Sequence, residues 1–262
     1  MGAKHYFKLW IIFLSCNLQS KISHKLDFIL GILATIFMQG CSFIFLWSIF
    51  SQIDVLSGWS FYEISILFGY ISIANGLEEI FLNGTWELPG IYIRRGELDR
   101  LLTRPVNPLF LILANCMELH GVGSFLFGIV IMLHSFMQLG ASLSFVNILF
   151  VFISIISSTV IFFSINLITG TLSFWVTDSM PAMVMVQRLN QLGQYPINIY
   201  NKVIKFVLTW VVPFAFVSYF PADFILNSNM LGLFSPIFTC VFFFLAYSFF
   251  KLSLKRYESA GG

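Results

Sequence analysis

The sequence predicts an all-α polytopic membrane protein: an N-terminal interfacial helix and six transmembrane helices in one domain, 1–262. Three observations carry this. Hydrophobic residues make up 58% of the chain and charged residues only 10%, with a mean hydropathy of +0.88, a balance outside the range of soluble domains. The apolar residues come in stretches long enough to cross a hydrocarbon core of roughly 30 Å. All 14 lysines and arginines fall in four places, near the two ends of the chain and in two connections between stretches.

The first element, within 1–25, is an amphipathic helix. At about 100° per residue, Lys4, Lys8, Ser15 and Gln19 share one narrow sector and Tyr6, Trp10 and Phe13 lie nearly opposite. Such a helix lies along the membrane surface. Its apolar core is too short for a signal peptide, and no small-residue cleavage site follows. The spans are then 28–50, 61–82, 109–138, 143–176, 206–220 and 231–250. A short polar loop with Asp54 and Gly58 joins the first two. The third is longer than a bilayer requires, so its first turns project or the helix tilts.

Basic residues set the orientation. They occupy the N-terminal segment (Lys4, Lys8, Lys21, Lys25), the second connection (Arg94, Arg95, Arg100, Arg104), the fourth connection (Arg188, Lys202, Lys205) and the tail (Lys251, Lys255, Arg256). With six spans these lie on one side, which the positive-inside rule makes cytoplasmic. Both termini are therefore expected inside. Segments 83–108 and 177–205 are expected to be cytoplasmic, and Asn83-Gly84-Thr85 reads as a turn there. The four cysteines, Cys16, Cys41, Cys116 and Cys240, sit singly in apolar surroundings and read as unpaired packing residues.

The densest charge cluster follows the second span. Arginine at the bilayer centre costs about 2.5–3.5 kcal/mol, so Arg94, Arg95, Arg100 and Arg104 lie in water or headgroups. Leu98, Leu101 and Leu102 fall at i, i+3 and i+4, an apolar ridge on a short helix. Glu97 and Asp99 lie in its first turn and arginines toward its end, as the helix dipole favours, and Pro105 breaks it. That ridge is expected to dock on a cytoplasmic partner; a helix folded back on the membrane surface is the competing reading.

The run G-E-L-D-R-L-L-T-R-P-V-N-P-L-F over 96–110, preceded by G-T-W-E-L-P-G over 84–90, resembles the permease subunits of ABC-2 type exporters. It is closest to a bacterial subfamily with a G-E-L-D-x-x-L-x-R-P-x-N-P signature. Tyr195-Pro196-Ile197 with Ile199-Tyr200, and 212–217 running into Tyr219-Phe220-Pro221-Ala222, extend the resemblance downstream. It implies a type V exporter-like permease fold in the bacterial cytoplasmic membrane. It also implies pairing with a second permease, identical or paralogous, and with two ATP-binding cassette ATPase subunits that carry ATP and Mg. The ATPase-coupling role passes by motif to Arg94, Arg95, Glu97, Leu98, Asp99, Arg100, Leu101, Leu102 and Arg104. The chain has no G-x-x-x-x-G-K-[ST] to cradle nucleotide phosphates itself, and no cofactor, metal or nucleic acid is expected on it. Better-known family members place re-entrant helices between the last two spans, whereas the loop expected here, 221–230, is short.

Polar groups within the spans carry the remaining readings. Glu118 and His120, two turns into the third span, are a functional hypothesis by default. Glu118 is either a proton-coupled or substrate-contacting group, or a carboxylate near the inner interface paired with a basic residue. The two residues are expected on different helix faces. Glu78 and Glu79 are placed to pair with Arg94 and Arg95. Ser154, Ser157, Ser158, Ser164 and Thr169 share one face of the fourth span, and Gly121, Ser124 and Gly128 one face of the third; such faces pack helices closely or line a path. Glu118, Ser154, Ser158 and Trp175 are the candidate substrate path. The reading is the permease of an ATP-driven exporter moving an amphiphile, such as a peptide, lipid or drug-like molecule, out of the cytoplasm. A gradient-driven carrier using Glu118 and a non-transport membrane scaffold are the alternatives, and the absence of H-E-x-x-H disfavours an intramembrane enzyme.

Overall fold

The computed structural model describes residues 3–23, 25–140, 144–176 and 178–257. Residues 1, 2 and 24 of the expected interfacial segment, 143 of the fourth span and 177 of the second cytoplasmic segment lie outside these. Helices α1 (Ala3–Ser23) and α2 (Lys25–Phe50) lead into a hairpin, β1 (Val55–Leu56) and β2 (Trp59–Ser60). Ser57 and Gly58 both take positive φ, 52° and 85°, which is what a two-residue turn of this hand requires. This pair of two-residue strands is a tight turn in a fold that is otherwise all-α, as expected.

Helix α3 (Phe61–Leu82) starts where the Glu63 carboxylate accepts from the Ser60 N–H at 2.7 Å, a reach-back that satisfies a donor left open at the helix start. Its bounds match the second expected span. Instead of ending in a loop, the chain continues helically through a 3₁₀ stretch, Asn83–Glu87, and a π-helical stretch, Leu88–Arg94. The expected turn at Asn83 is thus the start of an extension. After Gly96, with φ +71°, comes α4 (Glu97–Leu102). Then Asn107 caps α5 (Pro108–Asn115) by accepting from the Leu109 N–H at 2.9 Å, and α6 (Gly121–Gln138) follows. The third span is therefore two helices with a break at 116–120.

The core is built on α3, with α6 running antiparallel to it and α7 (Phe145–Thr171) parallel. A β-carbon on Gly76 would lie 2.5 Å from the Phe125 backbone nitrogen, and one on Gly121 2.5 Å from the Gly76 carbonyl. Only glycines allow α3 and α6 to approach this closely. On the other side α7 runs with Ser154 at the level of Tyr70, their hydroxyls 3.0 Å apart, and Asn166 donating to Glu78 at 3.0 Å. The hydroxyl face of α7 is a packing face: Ser154, Ser157, Ser158, Ser164 and Thr169 are all buried. Helix α11 (Ser235–Leu254) closes the bundle through Thr239 against the Ser157 carbonyl and Phe250 against Phe174. The bundle thus has a hairpin end, at Trp59, and an arginine end, at Arg94.

Between α7 and α11 the path differs from expectation. Helix α8 (Met180–Asn190) starts at the arginine end, where the Ser179 hydroxyl meets the Gly170 carbonyl at 3.4 Å. Asn190 then donates to Asn75 at 3.1 Å, Gly193 packs on Ile71, and Asn198 donates to the Tyr219 hydroxyl at 2.9 Å. Tyr219 lies 5.4 Å from Trp59, ring to ring. The contacts climb from the arginine end past α3 to the hairpin end, so 178–199 runs the depth of the bundle and is not confined to one end of it. The next stretch, α9 (Lys202–Phe206) extended to Val211, bends by 71° into Phe214–Asn227, which contains α10 (Tyr219–Asn227). Lys202, at the start of this bent pair, and Leu231, just beyond its end, line one pocket. A span would separate them, so 206–220 is a re-entrant hairpin and not the fifth span. Among the described residues five helices are long and apolar enough to cross a membrane; the sixth stretch that runs from one end of the bundle to the other is the polar-rich 178–199. Lys202 and Lys205 consequently sit at the hairpin end, opposite the arginines.

Candidate functional site

At the arginine end, the turn Gly96 and the N-terminal acids of α4 orient its leucines inward. Leu98 and Leu101 are 0% and 1% exposed, packed in one cluster with Tyr92, Leu109 and Ile112. This corrects the expectation that Leu98, Leu101 and Leu102 form a free ridge: the π-helical stretch and α5 fold back and supply the core it lacked. What faces outward is Arg94, Arg95, Arg100, Leu102, Thr103 and Arg104. Glu97 holds Arg100 at 3.1 Å, and Glu97 and Asp99 are partly buried. Glu78 is bonded to Asn166 in the core, so it does not pair with Arg94 or Arg95.

Helix α1 is pinned to the same end by the face the sequence pattern selects. Tyr6 packs edge-on to Phe110 at 5.0 Å, Asn17 donates to the Ala114 carbonyl at 2.9 Å, and Lys21 meets the Glu118 carboxylate at 2.8 Å. Glu118 is thus the paired carboxylate of the two readings left open. Because 116–120 is not helical, His120 Nδ1 reaches Glu118 at 3.3 Å, and the two do not diverge as a helix would make them. The His120 ring rests on α2 where Gly31 has no side chain.

A second feature lies at mid-depth, a half-open cleft of about 460 Å³ between α2, α3, α6 and α8. Helix α2 contributes Thr35, Gln39 and Ser42, and α3 contributes Asn75 and Glu79. From α8 and the turn after it come Gln187, Arg188, Asn190, Gln191 and Gln194. Gln39 bridges toward Ser124 and Ser72, each at 3.4 Å. Among the described residues no ion pair joins Glu79 to Arg188. The cleft therefore offers amide and hydroxyl groups, together with the Glu79 carboxyl and the Arg188 guanidinium, at a depth where polar groups are costly unless water or a ligand meets them.

The sequence-derived substrate path does not line this cleft. Ser154 and Ser158 are buried, the latter donating to the Val217 carbonyl at 2.6 Å, and Trp175 stacks on Phe249 at 5.1 Å. Glu118 does not line the cleft but adjoins it, its N–H donating to the Glu79 carbonyl at 3.1 Å. The signal for the cleft was present: Gln187, Asn190, Gln191 and Gln194 repeat at helical spacing, as do Thr35, Gln39 and Ser42. It was hidden because 178–199 reads as a loop when hydropathy alone selects spans. Beyond the crossings, burial holds the Tyr200 phenol above its ordinary range, and its hydroxyl donates to the Leu192 carbonyl at 2.8 Å.

A bundle of apolar helices enclosing a polar cleft at mid-depth, closed at one end by a cationic helical turn, defines a polytopic membrane protein of the permease class. Residues 36–261 match the family described as ABC-2 family transporter protein, and the chain belongs to that family. Its members are membrane permeases of ABC transporters, normally non-catalytic subunits that work with ATP-binding cassette ATPases. No curated protein matches the chain.

Proposed function

We propose that this chain is the permease of an exporter that moves an amphiphile with a polar head out of the cytoplasm, driven by separate ATPase subunits and paired with a second permease. The observation that supports it most directly is the cleft: a polar, half-open volume at mid-depth, bordered on one side by the 178–199 passage. The arginine end is the cytoplasmic end in this reading, because eight of the basic side chains in the described residues there, Lys4, Lys8, Arg94, Arg95, Arg100, Arg104, Lys255 and Arg256, meet the positive-inside rule. Arg94, Arg95, Arg100 and Arg104, with Leu102 between them, form the face offered to an ATPase. Leu98 and Leu101 hold that face in place from within and do not themselves dock. ATP and Mg are bound on the partner, whose closure moves α4 and the helical extension of α3 as one packed body and opens the cleft alternately to the two ends.

The test is co-purification with the ATPases of the same cell, followed by nucleotide hydrolysis in reconstituted vesicles. Reversal of charge in the Arg100→Glu/Arg104→Glu variant is expected to abolish association while leaving the permease folded. Retained association together with unchanged hydrolysis would remove the coupling assignment.

A further inference from the structure

We infer that the hairpin end carries a binding site for an anionic phospholipid of the surrounding leaflet, built by the re-entrant hairpin. Two cavities there share a wall. The first, about 420 Å³, has Lys202 and Lys205 beside Asn198, Asn229 and Tyr219. The second, about 400 Å³, is lined almost wholly by apolar groups, among them Phe216, Phe234, Ile237 and Val241. Thr209, Trp210, Phe220 and Leu231 line both. A cationic, hydrogen-bonding mouth continuous with an apolar chamber is complementary to one molecule carrying a negative head and a hydrocarbon tail.

The charges are available to a ligand. Lys205 donates to Asn198 at 2.8 Å, and Asn198 in turn to Tyr219, so the ammonium is positioned without being neutralised. The nearby carboxylate, Asp223, has its two oxygens taken by Asn227 at 2.8 Å and Asn229 at 2.7 Å. Among the described residues neither lysine forms an ion pair. Lysines at the end opposite the arginines also run against the charge bias that orients the chain, which leaves a local role for them. Entry is lateral: Trp210, Leu231, Phe234 and Ile237 are exposed on the bundle's flank, where lipid tails lie. A resident lipid here would fix the bend at Val212 and Pro213, and this does not depend on which substrate the mid-depth cleft carries.

The experiment uses the full-length chain purified in detergent. Lipid retention is read by native mass spectrometry with three probes: phosphatidylglycerol, phosphatidylcholine and glycerol 3-phosphate. Phosphatidylglycerol is expected to be retained over both others, and the Lys202→Gln/Lys205→Gln variant to lose about 30-fold in apparent affinity for it. Phosphatidylglycerol brominated in its acyl chains is expected to quench a tryptophan signal that disappears in Trp210→Phe. Equal retention of phosphatidylcholine, or of glycerol 3-phosphate alone, overturns the proposal, as does unchanged affinity in the lysine variant. If the lysine variant fails to fold, Leu231→Trp, which fills the shared wall, must displace the lipid for the inference to stand. Displacement of the lipid only by an exported substrate presented with the ATPase running would reassign the site to the export path and overturn its lipid assignment.

Discussion

At the residue scale, the distinction that matters is between Leu101 and Leu102, adjacent in sequence and opposite in role. Leu101 is 1% exposed and Leu102 43%. Truncating a buried leucine removes its transfer free energy and leaves a cavity. Leu101→Ala is therefore expected to lower stability by about 2–5 kcal/mol, and Leu102→Ala to stay within about 0.5 kcal/mol, as read by thermal unfolding in detergent. Similar losses for both would place the leucines together on a free ridge. The same logic separates two glycines. A side chain at Gly76 meets backbone of α6, whereas nothing lies within 4 Å of a β-carbon at Gly40. Gly76→Val is expected to cost about 1–3 kcal/mol or more by forcing backbone apart, and Gly40→Ala to leave the unfolding midpoint where it is.

At the scale of elements, the two passages after α7 decide the topology. The stretch 206–220 carries the hydropathy of a span, and 178–199 carries the geometry of one. The reason is where their side chains face. Residues 202–211 turn much of their surface outward, so apolar side chains suit them although they cross nothing. Along 178–199, Gln187, Arg188, Gln191 and Gln194 line the half-open cleft and Asn190 meets Asn75, and a stretch that lines a cavity need not be apolar throughout. In a background with Cys16, Cys41, Cys116 and Cys240 replaced, a membrane-impermeant thiol reagent is expected to label Asn201→Cys from the side opposite Thr103→Cys. Labelling of both from one side would restore 206–220 as a span. The packing face of α1, by contrast, was legible: the face with Tyr6, Trp10 and Phe13 is the face that packs, since an amphipathic helix has one apolar side whatever it meets.

At the scale of the whole molecule, charge and polarity are arranged in three layers: arginines at one end, the cleft at mid-depth, and two lysines at the other end. The cleft is where transport is expected to be most sensitive. Removing a hydrogen bond to a charged group costs about 1.5–3 kcal/mol. Glu79→Gln and Arg188→Gln are therefore each expected to lower substrate-stimulated hydrolysis about tenfold or more, with basal hydrolysis unchanged. Ser154→Ala, which lines no part of the cleft, is expected to affect stability through Tyr70 and not stimulation. Equal stimulation in all three variants would remove the cleft from the substrate path.

The sequence by itself determined the class, the amphipathic first helix, the small-residue faces of the third and fourth spans and the position of the arginine-rich turn. These follow from properties carried by single residues or by short periods: transfer free energy, helical pitch, small size and charge. Only the tertiary structure decided which leucines of α4 are already buried, that Glu118 pairs with Lys21, and that the sixth passage is the polar one. Each of those depends on which segment, distant in the chain, is brought alongside. A leucine ridge, a lone carboxylate or a row of glutamines reads the same in one dimension whether its partner is water, lipid or another helix.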